Sequence, residues 1–244
     1  IIIKMNINYS SFQGITLFEN KVAEWFNAPY GVAVDCCTHG LELALRYTEA
    51  NEIKVPKHTY LSVPMLASKL NIKRTFVSNK WVDYYYITDN IVDSAVYWKK
   101  NSYIKGTYMV LSFQFKKHLP LGRGGMILTD SKDAYARLKS MAYDGRDQNS
   151  SKSWVDQDIH SIGYHYYMTP ETAELGLSKL PKAIATKPRG WSSLDYPNLT
   201  NLTFAYKIST LFRIKEKIFI KAVNNFKGLP HRHEIFLKKN KITF

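Results

Sequence analysis

Apolar positions along the first two thirds of the chain form short continuous runs, separated by segments in which they recur every three to four residues. Phe18, Val22 and Phe26 fall on one helical face, whereas residues 31–34 are a short apolar run typical of a buried strand. Strands and helices that alternate in this way predict an α/β fold, a three-layer sandwich with a mostly parallel sheet between helices.

The same pattern places the remaining elements of this region. Strands are expected at 53–55, 75–77, 91–92, 108–113 and 125–129, and helices at 41–45, 60–70 and 132–143. Thr169, Pro170 and Glu171 are typical of a helix start, because they supply a cap, a proline in the first turn and an acid near the positive helix end. The polar residues 144–160 predict a loop, and the proline-containing residues 183–203 predict a linker.

The last part of the chain differs from the rest in charge. The sequence has 34 Lys and Arg and 20 Asp and Glu, a net charge of +14, of which +8 falls within residues 201–244. Phe204, Ile208 and Phe212 predict a helix there, with strands at 234–237 and 242–244. We therefore expect two domains, 1–197 and 198–244, and a body too nearly balanced in charge to bind nucleic acid.

Composition excludes several classes of protein. No apolar run is long enough to span a bilayer, and the N-terminal residues do not resemble a signal peptide. The two cysteines, Cys36 and Cys37, are adjacent and cannot form a disulfide framework, so a cytoplasmic location is predicted. The histidines show no recurrent ligand spacing, so no metal site is predicted; those considered were His58, His118, His160, His165, His231 and His233.

Candidate chemistry lies just after the predicted strands. Because ligands of open α/β sheets bind beyond the carboxyl ends of the strands, Asp93 and Lys117 are expected near one sheet edge. Thr38 stands at a helix start, where backbone N–H groups suit a phosphate. A phosphate cradle, a carboxylate and a lysine are what a pyridoxal-phosphate (PLP) enzyme requires. Taken singly, each signal is more often a helix cap, a turn residue or a solvated surface lysine.

Five sequence blocks that occur in the order of a known family strengthen these signals. Over roughly 170 residues the chain resembles the DegT/DnrJ/StrS family of PLP-dependent nucleotide-sugar aminotransferases, which has the large-domain fold of the aspartate aminotransferase type. The matching blocks are FENKVAEWFNAPYGVAVDCCTHGLELAL, VPKHTYLSVPMLAS, IVDSA, SFQFKKHLPLGRGGMILTD and GYHYYMTPETAELGLSKL. The resemblance implies transfer of an amino group from an amino acid, expected to be L-glutamate, to a keto-sugar nucleotide in polysaccharide biosynthesis.

The resemblance also implies roles for individual residues. Lys117 falls on the catalytic lysine that binds PLP covalently, and Asp93 on the carboxylate that pairs with the pyridinium nitrogen. A lysine suits this task because its pKa falls readily on burial, after which it can carry a proton to and from the substrate carbon. The other implied cofactor contacts are Tyr60 against the ring, Cys37, Thr38 and Ser112 at the phosphate, and His165 at the phosphate of the other subunit of a homodimer.

Several positions depart from the family pattern. Val96 stands where Gln or His is usual, and Arg123 replaces the Glu of the Gly-rich turn. Cys37 and His39 flank Thr38, and Tyr167 replaces an Arg. Related dehydratases carry His in place of the lysine; Lys117 argues against that branch, with His118 one residue away as the alternative register.

Residues from about 200 to 244 resemble a fragment of the ligase that adds D-glutamate to UDP-N-acetylmuramoyl-alanine. The block FKGLPHRHEIF carries this resemblance, but the ATP-binding loop of that enzyme is missing, so ligase activity is not expected. Two alternatives to an active aminotransferase stay open. One is a non-catalytic PLP-fold remnant or chimera without the small domain, and the other is nucleic-acid binding by the basic tail.

Overall fold

A computed structural model describes residues 12–159, 161–195, 199–225, 238–239 and 242–243 of the chain. The chain divides into two units, 1–196 and 197–244, each described by itself below. The roles assigned to the two expected domains stay predictions. His160, His231, His233 and the strand expected at 234–237 lie outside the described residues.

The first unit is built on a five-stranded sheet of order β1-β7-β6-β5-β4. Its strands are β1 (Tyr30–Val34), β4 (Tyr85–Tyr86), β5 (Ile91–Asp93), β6 (Tyr108–Ser112) and β7 (Gly125–Thr129). A separate sheet pairs β2 (Glu52–Pro56) with β3 (Lys73–Val77) in parallel.

The strand directions correct one expectation. In the five-stranded sheet only β5 and β6 run parallel, and the other three pairings are antiparallel, so the sheet is mixed and not mostly parallel. Residues 113–124 return the chain directly from β6 to β7, with the Phe113 N–H bonded to the Gly124 carbonyl at 2.9 Å. The chain thus returns to the adjacent strand without crossing over the sheet, and such a connection joins antiparallel strands.

Helices cover both faces of this sheet, which confirms the three layers of the predicted α/β fold. The helices are α1 (Gln13–Phe26), α2 (Cys37–Tyr47), α3 (Ser62–Leu70), α4 (Lys132–Ala142) and α5 (Pro170–Ala185). Val32 and Ile127 belong to one core cluster together with residues of α2, α3 and α4. Their strand neighbours Ala33 and Met126 belong to a second cluster with residues of α1 and α5, as the two-residue period of a strand requires.

Local sequence explains where the helices begin and end. The Thr169 hydroxyl accepts a hydrogen bond from the Thr172 N–H, and Pro170 follows it in the first turn, as predicted. This helix continues through Pro181 to Ala185. The N-terminal part of the linker expected at 183–203 is therefore helical.

A buried ion pair joins α1 to α4 next to Ala33 of β1. The Lys139 amine lies 2.6 Å from a Glu19 carboxylate oxygen, and the other Glu19 oxygen accepts a hydrogen bond from the Ala33 N–H at 2.9 Å. Burial raises the pKa of Glu19, although Lys139 and the Ala33 N–H act in the opposite direction.

The part of the second unit that the structure describes contains two helices, α6 (Leu199–Leu211) and α7 (Glu216–Asn225), and a short antiparallel pair of β8 (Lys238–Lys239) with β9 (Ile242–Thr243). The helix expected around 204–212 is present, and it begins at Leu199, within the expected linker. The rings of Tyr206 and Phe219 meet edge to face at 5.2 Å between centroids. Among the described residues, none of the helices combines the length and the apolar character needed to cross a membrane.

Candidate active site

A cavity of about 470 Å³ opens beside the end of β6. Ser112 is the last residue of that strand, and the Lys117 N–H bonds to the Gln114 carbonyl at 2.8 Å in the turn that follows. The buried Phe113 ring anchors this turn in the core. The cavity is lined by Ala95, Val96, Tyr97, Trp98, Ser112, Lys116, Lys117, His118, Leu119, Arg189 and Trp191.

Asp93 ends the neighbouring strand and is only 5% exposed. It lies opposite Val110 in the parallel pair of β5 and β6, two residues before Ser112. One carboxylate oxygen accepts a hydrogen bond from the Tyr85 hydroxyl at 2.5 Å, and the other accepts one from the Ala95 N–H at 3.0 Å. Burial raises the pKa of Asp93, and these two hydrogen bonds and the charge of Lys117 oppose that rise.

Lys117 is half-buried and forms no ion pair within the part of the chain that the structure describes. Its amine lies 5.7 Å from the centroid of the Trp191 ring. Burial lowers its pKa, while the nearby Cys37 and Asp93 act in the opposite direction. Such an amine loses its proton more readily than a surface lysine and can act as a nucleophile or a base.

The start of α2 comes close to the same place. A Cβ on Gly125 would lie 2.6 Å from the Cys37 nitrogen, so the glycine lets β7 pass directly under the helix start. The Cys37 thiol lies 3.9 Å from the Val110 carbonyl oxygen, and burial followed by the charge of Asp93 raises its pKa. The Thr38 hydroxyl lies 2.8 Å from the Ser62 hydroxyl.

Two other expected site residues lie elsewhere in this chain. Tyr60 is 62% exposed and does not line the cavity. His165 is also exposed, and its Nδ1 lies 2.9 Å from an Asp144 carboxylate oxygen. The structure therefore brings Asp93, Lys117 and Cys37 close enough for their charges to interact, and Ser112 lines the cavity together with Lys117. Asp93 and Cys37, like Tyr60 and His165, do not line the cavity.

Comparison with known proteins identifies the family. The family model of the DegT/DnrJ/EryC1/StrS aminotransferases matches residues 5–102 and 95–189. The chain belongs to this family. No curated protein matches the chain, so the resemblance of residues 200–244 to the D-glutamate ligase has no support from these comparisons.

Solved structures share the fold of the DegT-family region. AtS13 from Actinomadura melliaura superimposes with a TM-score of 0.62 at 21% identity over 71% of this chain and 61% of its own. The sugar aminotransferase CalS13 from Micromonospora echinospora gives 0.59 at 17% identity over 70% and 60%. The PLP form of Spr1654 from Streptococcus pneumoniae, described as a sugar aminotransferase, gives 0.56 at 18% over 70% and 60%. The chain thus spans about three fifths of the length of these structures.

The DegT-family departures around α2 form one charged cluster. Arg123 donates to an Asp35 carboxylate oxygen at 2.7 Å, and His39 Nδ1 lies 2.7 Å from the other. Burial would lower the pKa of His39, but its hydrogen bonds to Asp35 and Cys36 raise it to about 9. The ligand atoms of Asp35, Cys36 and His39 all lie within 4.8 Å of one another. Asp35 is thus already paired with Arg123 and His39. The expectation that no metal binds stays a prediction.

The neighbouring His118 has a different environment from Lys117. Its Nε2 lies 2.8 Å from the Ala183 carbonyl oxygen of α5, and its ring contacts that of Trp98. A backbone carbonyl thus engages His118, whereas the Lys117 amine has no ion-pair partner among the described residues. The observation favours Lys117 over the alternative register.

The sequence did not reveal four residues around the cavity. Thr59 and Tyr85 form a hydrogen-bonded chain to Asp93, and Arg189 and Trp191 line the cavity wall, with the guanidinium 4.4 Å from the Trp191 ring centroid. The run Tyr84-Tyr85-Tyr86 was a visible signal, but β4 has only two residues and no readable period. Arg189 and Trp191 lay in the segment interpreted as a linker.

Proposed function

We propose that the chain binds PLP in the cavity beside β6 and serves as the cofactor-binding part of a sugar aminotransferase. The observation that carries this proposal is a buried carboxylate, Asp93, whose charge interacts with Lys117, an amine of lowered pKa that lines a cavity of about 470 Å³. That volume is in the range of small-molecule sites. Membership of the DegT family supports the assignment.

The residues present fit this cofactor. Lys117 supplies the amine for a covalent link, Asp93 supplies a carboxylate for a protonated ring nitrogen, and Ser112 supplies a hydroxyl at the cavity wall. The start of α2 supplies backbone N–H groups and the positive end of a helix dipole for a phosphate. When bound, PLP supplies an electron sink for the substrate carbon.

Each protein group then has a distinct task. Asp93 keeps the ring nitrogen protonated, because a carboxylate withdrawn from water stabilises a paired cation strongly. Lys117 takes the proton from the substrate carbon and returns a proton to complete the transfer, and its lowered pKa suits it to both steps. Trp191 and Trp98 line the same cavity, with the Trp191 ring centroid 5.7 Å from that amine.

We extend the proposal to the substrates and the assembly. The donor is an amino acid, L-glutamate in the first instance, and the acceptor is a keto-sugar nucleotide used in polysaccharide biosynthesis. His165 reaches the site of the partner subunit in a homodimer; its exposure here is compatible with that role. The two adjacent cysteines, both free, suit the cytoplasm.

A spectroscopic titration tests cofactor binding. Adding PLP to the purified chain should produce a visible absorption band, and borohydride reduction should fix PLP to a peptide that contains Lys117. Lys117→Ala should abolish this attachment, whereas Lys116→Ala, a change at the adjacent lysine, should retain it. Attachment that survives in Lys117→Ala would contradict the proposal.

A second measurement separates transfer from binding alone. Addition of L-glutamate to the PLP-loaded chain should convert the cofactor to its pyridoxamine form. A non-catalytic PLP-binding protein is the second candidate, favoured by the departures from the family pattern at Val96, Arg123 and Tyr167. Binding of PLP without this conversion, with several amino acids tested, would favour that candidate.

A further inference from the structure

Tyr85 faces Asp93 directly across the antiparallel pair of β4 and β5. Residues opposite one another in such a pair place their side chains on the same face. The Tyr85 hydroxyl reaches one Asp93 oxygen at 2.5 Å, while the Ala95 N–H holds the other at 3.0 Å. Both oxygens of the carboxylate are therefore fixed by neighbours that belong to the sheet and its following turn.

A third buried side chain sets the direction of this hydrogen-bonded chain. An ionised carboxylate has no proton to donate, so Tyr85 must give its single hydroxyl proton to Asp93. The Tyr85 oxygen can then only accept from the Thr59 hydroxyl, with which it is also hydrogen-bonded. The order is Thr59 to Tyr85 to Asp93, and all three residues are buried.

The charges around Asp93 show what this arrangement does. Burial raises the pKa of Asp93, and the Tyr85 hydrogen bond is the largest effect in the opposite direction, followed by the Ala95 N–H and the charge of Lys117. The partly buried Cys37 thiol also interacts electrostatically with this carboxylate. A donor aimed at the charged form favours ionisation, which a carboxylate needs if it is to pair with a cation.

We propose that Tyr85, supported by Thr59, is a positioning residue that holds the Asp93 carboxylate in place and ionised for the ring nitrogen of the bound cofactor. This inference rests on the proposed function and adds to it two residues that do not themselves line the cavity. The position of Tyr85 opposite Asp93 is set by β4, a strand of two residues.

A purely structural role is the competing explanation. A buried tyrosine hydroxyl normally needs a partner, and the Tyr85 ring also packs on Trp81 at 5.1 Å between centroids. Tyr85→Phe keeps the ring and removes only the hydroxyl. Tyr86→Phe is the matched control, because Tyr86 is the next residue of the same strand and is exposed.

The first experiment needs no cofactor. Carbon-13 NMR titration of the side-chain carboxyls, with the Asp93 signal assigned from Asp93→Asn, should show Asp93 becoming about a tenfold weaker acid in Tyr85→Phe. Thr59→Val should shift the titration in the same direction by a smaller amount. Tyr86→Phe should leave it unchanged. An Asp93 titration identical in Tyr85→Phe and the unmodified chain would overturn the inference.

The second experiment uses PLP itself. The dissociation constant for PLP should rise about tenfold in Tyr85→Phe, the loss expected for one hydrogen bond to a charged group. The pH at which the visible band titrates should also move, whereas Tyr86→Phe should match the unmodified chain in both respects. If the unmodified chain binds no PLP, the proposed function and this inference fall together. If it binds PLP and Tyr85→Phe binds equally well with the same pH profile, only the inference falls.

Discussion

Glu19 with Lys139, and Asp93 with Lys117, are two acid–lysine combinations that the fold withdraws from water. In the first, the charged atoms meet at 2.6 Å and satisfy each other. In the second, the acid is held by Tyr85 and Ala95, and the lysine faces a cavity without an ion-pair partner among the described residues. Burial raises the pKa of both acids.

The difference separates a structural pair from a chemical one. A closed buried pair neutralises its own charges and has no capacity left for a ligand, whereas an acid and an amine kept apart retain unsatisfied chemistry. Residue type and burial alone do not distinguish the two cases. The partners and the adjoining cavity do.

The largest effect is expected from breaking the closed pair. Lys139→Met leaves Glu19 buried without its cation, and the free energy of unfolding should fall by about 3–5 kcal/mol. Urea unfolding followed by circular dichroism measures this change. The double variant Glu19→Leu with Lys139→Met should recover part of the loss, because no charge is then left unpaired, although the Ala33 N–H loses its acceptor. A double variant as unstable as the single one would show that packing, not charge, is responsible.

Removing the charge of Asp93 should weaken the binding of the cofactor and leave the stability of the fold unchanged. Because the folded pKa of Asp93 is raised above 3.8, its favourable contribution to folding is present below that pH and is lost as the pH rises through the folded pKa. At neutral pH, Asp93→Asn should therefore not lower the free energy of unfolding. The dissociation constant for PLP should rise by about tenfold or more, since a hydrogen bond to a charged group is lost.

Titration with PLP and urea unfolding of the same Asp93→Asn preparation measure the dissociation constant for PLP and the free energy of unfolding. Loss of stability without loss of PLP affinity would assign Asp93 to the structural class, alongside Glu19.

The lysines give a direct contrast in stability. The pKa of Lys117 is lowered by burial, so its charged form is disfavoured in the fold. Lys117→Met should change the free energy of unfolding by less than about 1 kcal/mol, the range of substitutions that break no specific feature. Urea unfolding of Lys117→Met and Lys139→Met under the same conditions checks this. Equal losses of unfolding free energy in the two variants would contradict the distinction between the two lysines.

The smallest effect is expected where a similar pair remains in contact with water. The pKa of His39 is raised to about 9, so its pairing with Asp35 should stabilise the fold fully below pH 6.5 and cease to do so as the pH rises to about 9. The difference between the unmodified chain and His39→Gln should be about 1 kcal/mol or less at low pH and vanish above that range. Thermal unfolding over a pH series measures it; a difference that persists unchanged above pH 9 would contradict the assignment.

Sequence reasoning succeeded where the signal was local. The three-to-four-residue spacing of Phe18, Val22 and Phe26 predicted α1, and the cap at Thr169 predicted the start of α5. Asp93 and Lys117 were expected near one sheet edge because each follows a predicted strand, and the parallel pairing of β5 with β6 brings the ends of those two strands side by side. The resemblance to the family then assigned the covalent link with the cofactor to Lys117.

The sequence-based predictions failed where the structure depends on pairing between residues that are far apart in the chain. Whether β1 runs parallel or antiparallel to β7 depends on which strands become neighbours, and its partner begins at Gly125, far along the chain. Tyr85 was missed because its importance comes only from the register that sets it opposite Asp93. Arg189 reaches the cavity wall from a segment whose composition predicted a linker.

Local patterns in the sequence were enough to predict the α/β class, the family resemblance and the lysine and carboxylate near the strand ends, because periodicity and spacing are properties of neighbouring residues. Which acid is paired with which lysine depends on contacts between distant parts of the folded chain. Glu19 and Asp93 are equally buried acids, and what separates them is the set of atoms brought to each from distant parts of the chain: a cation in contact for one, a hydroxyl, a backbone N–H and a nearby cavity for the other.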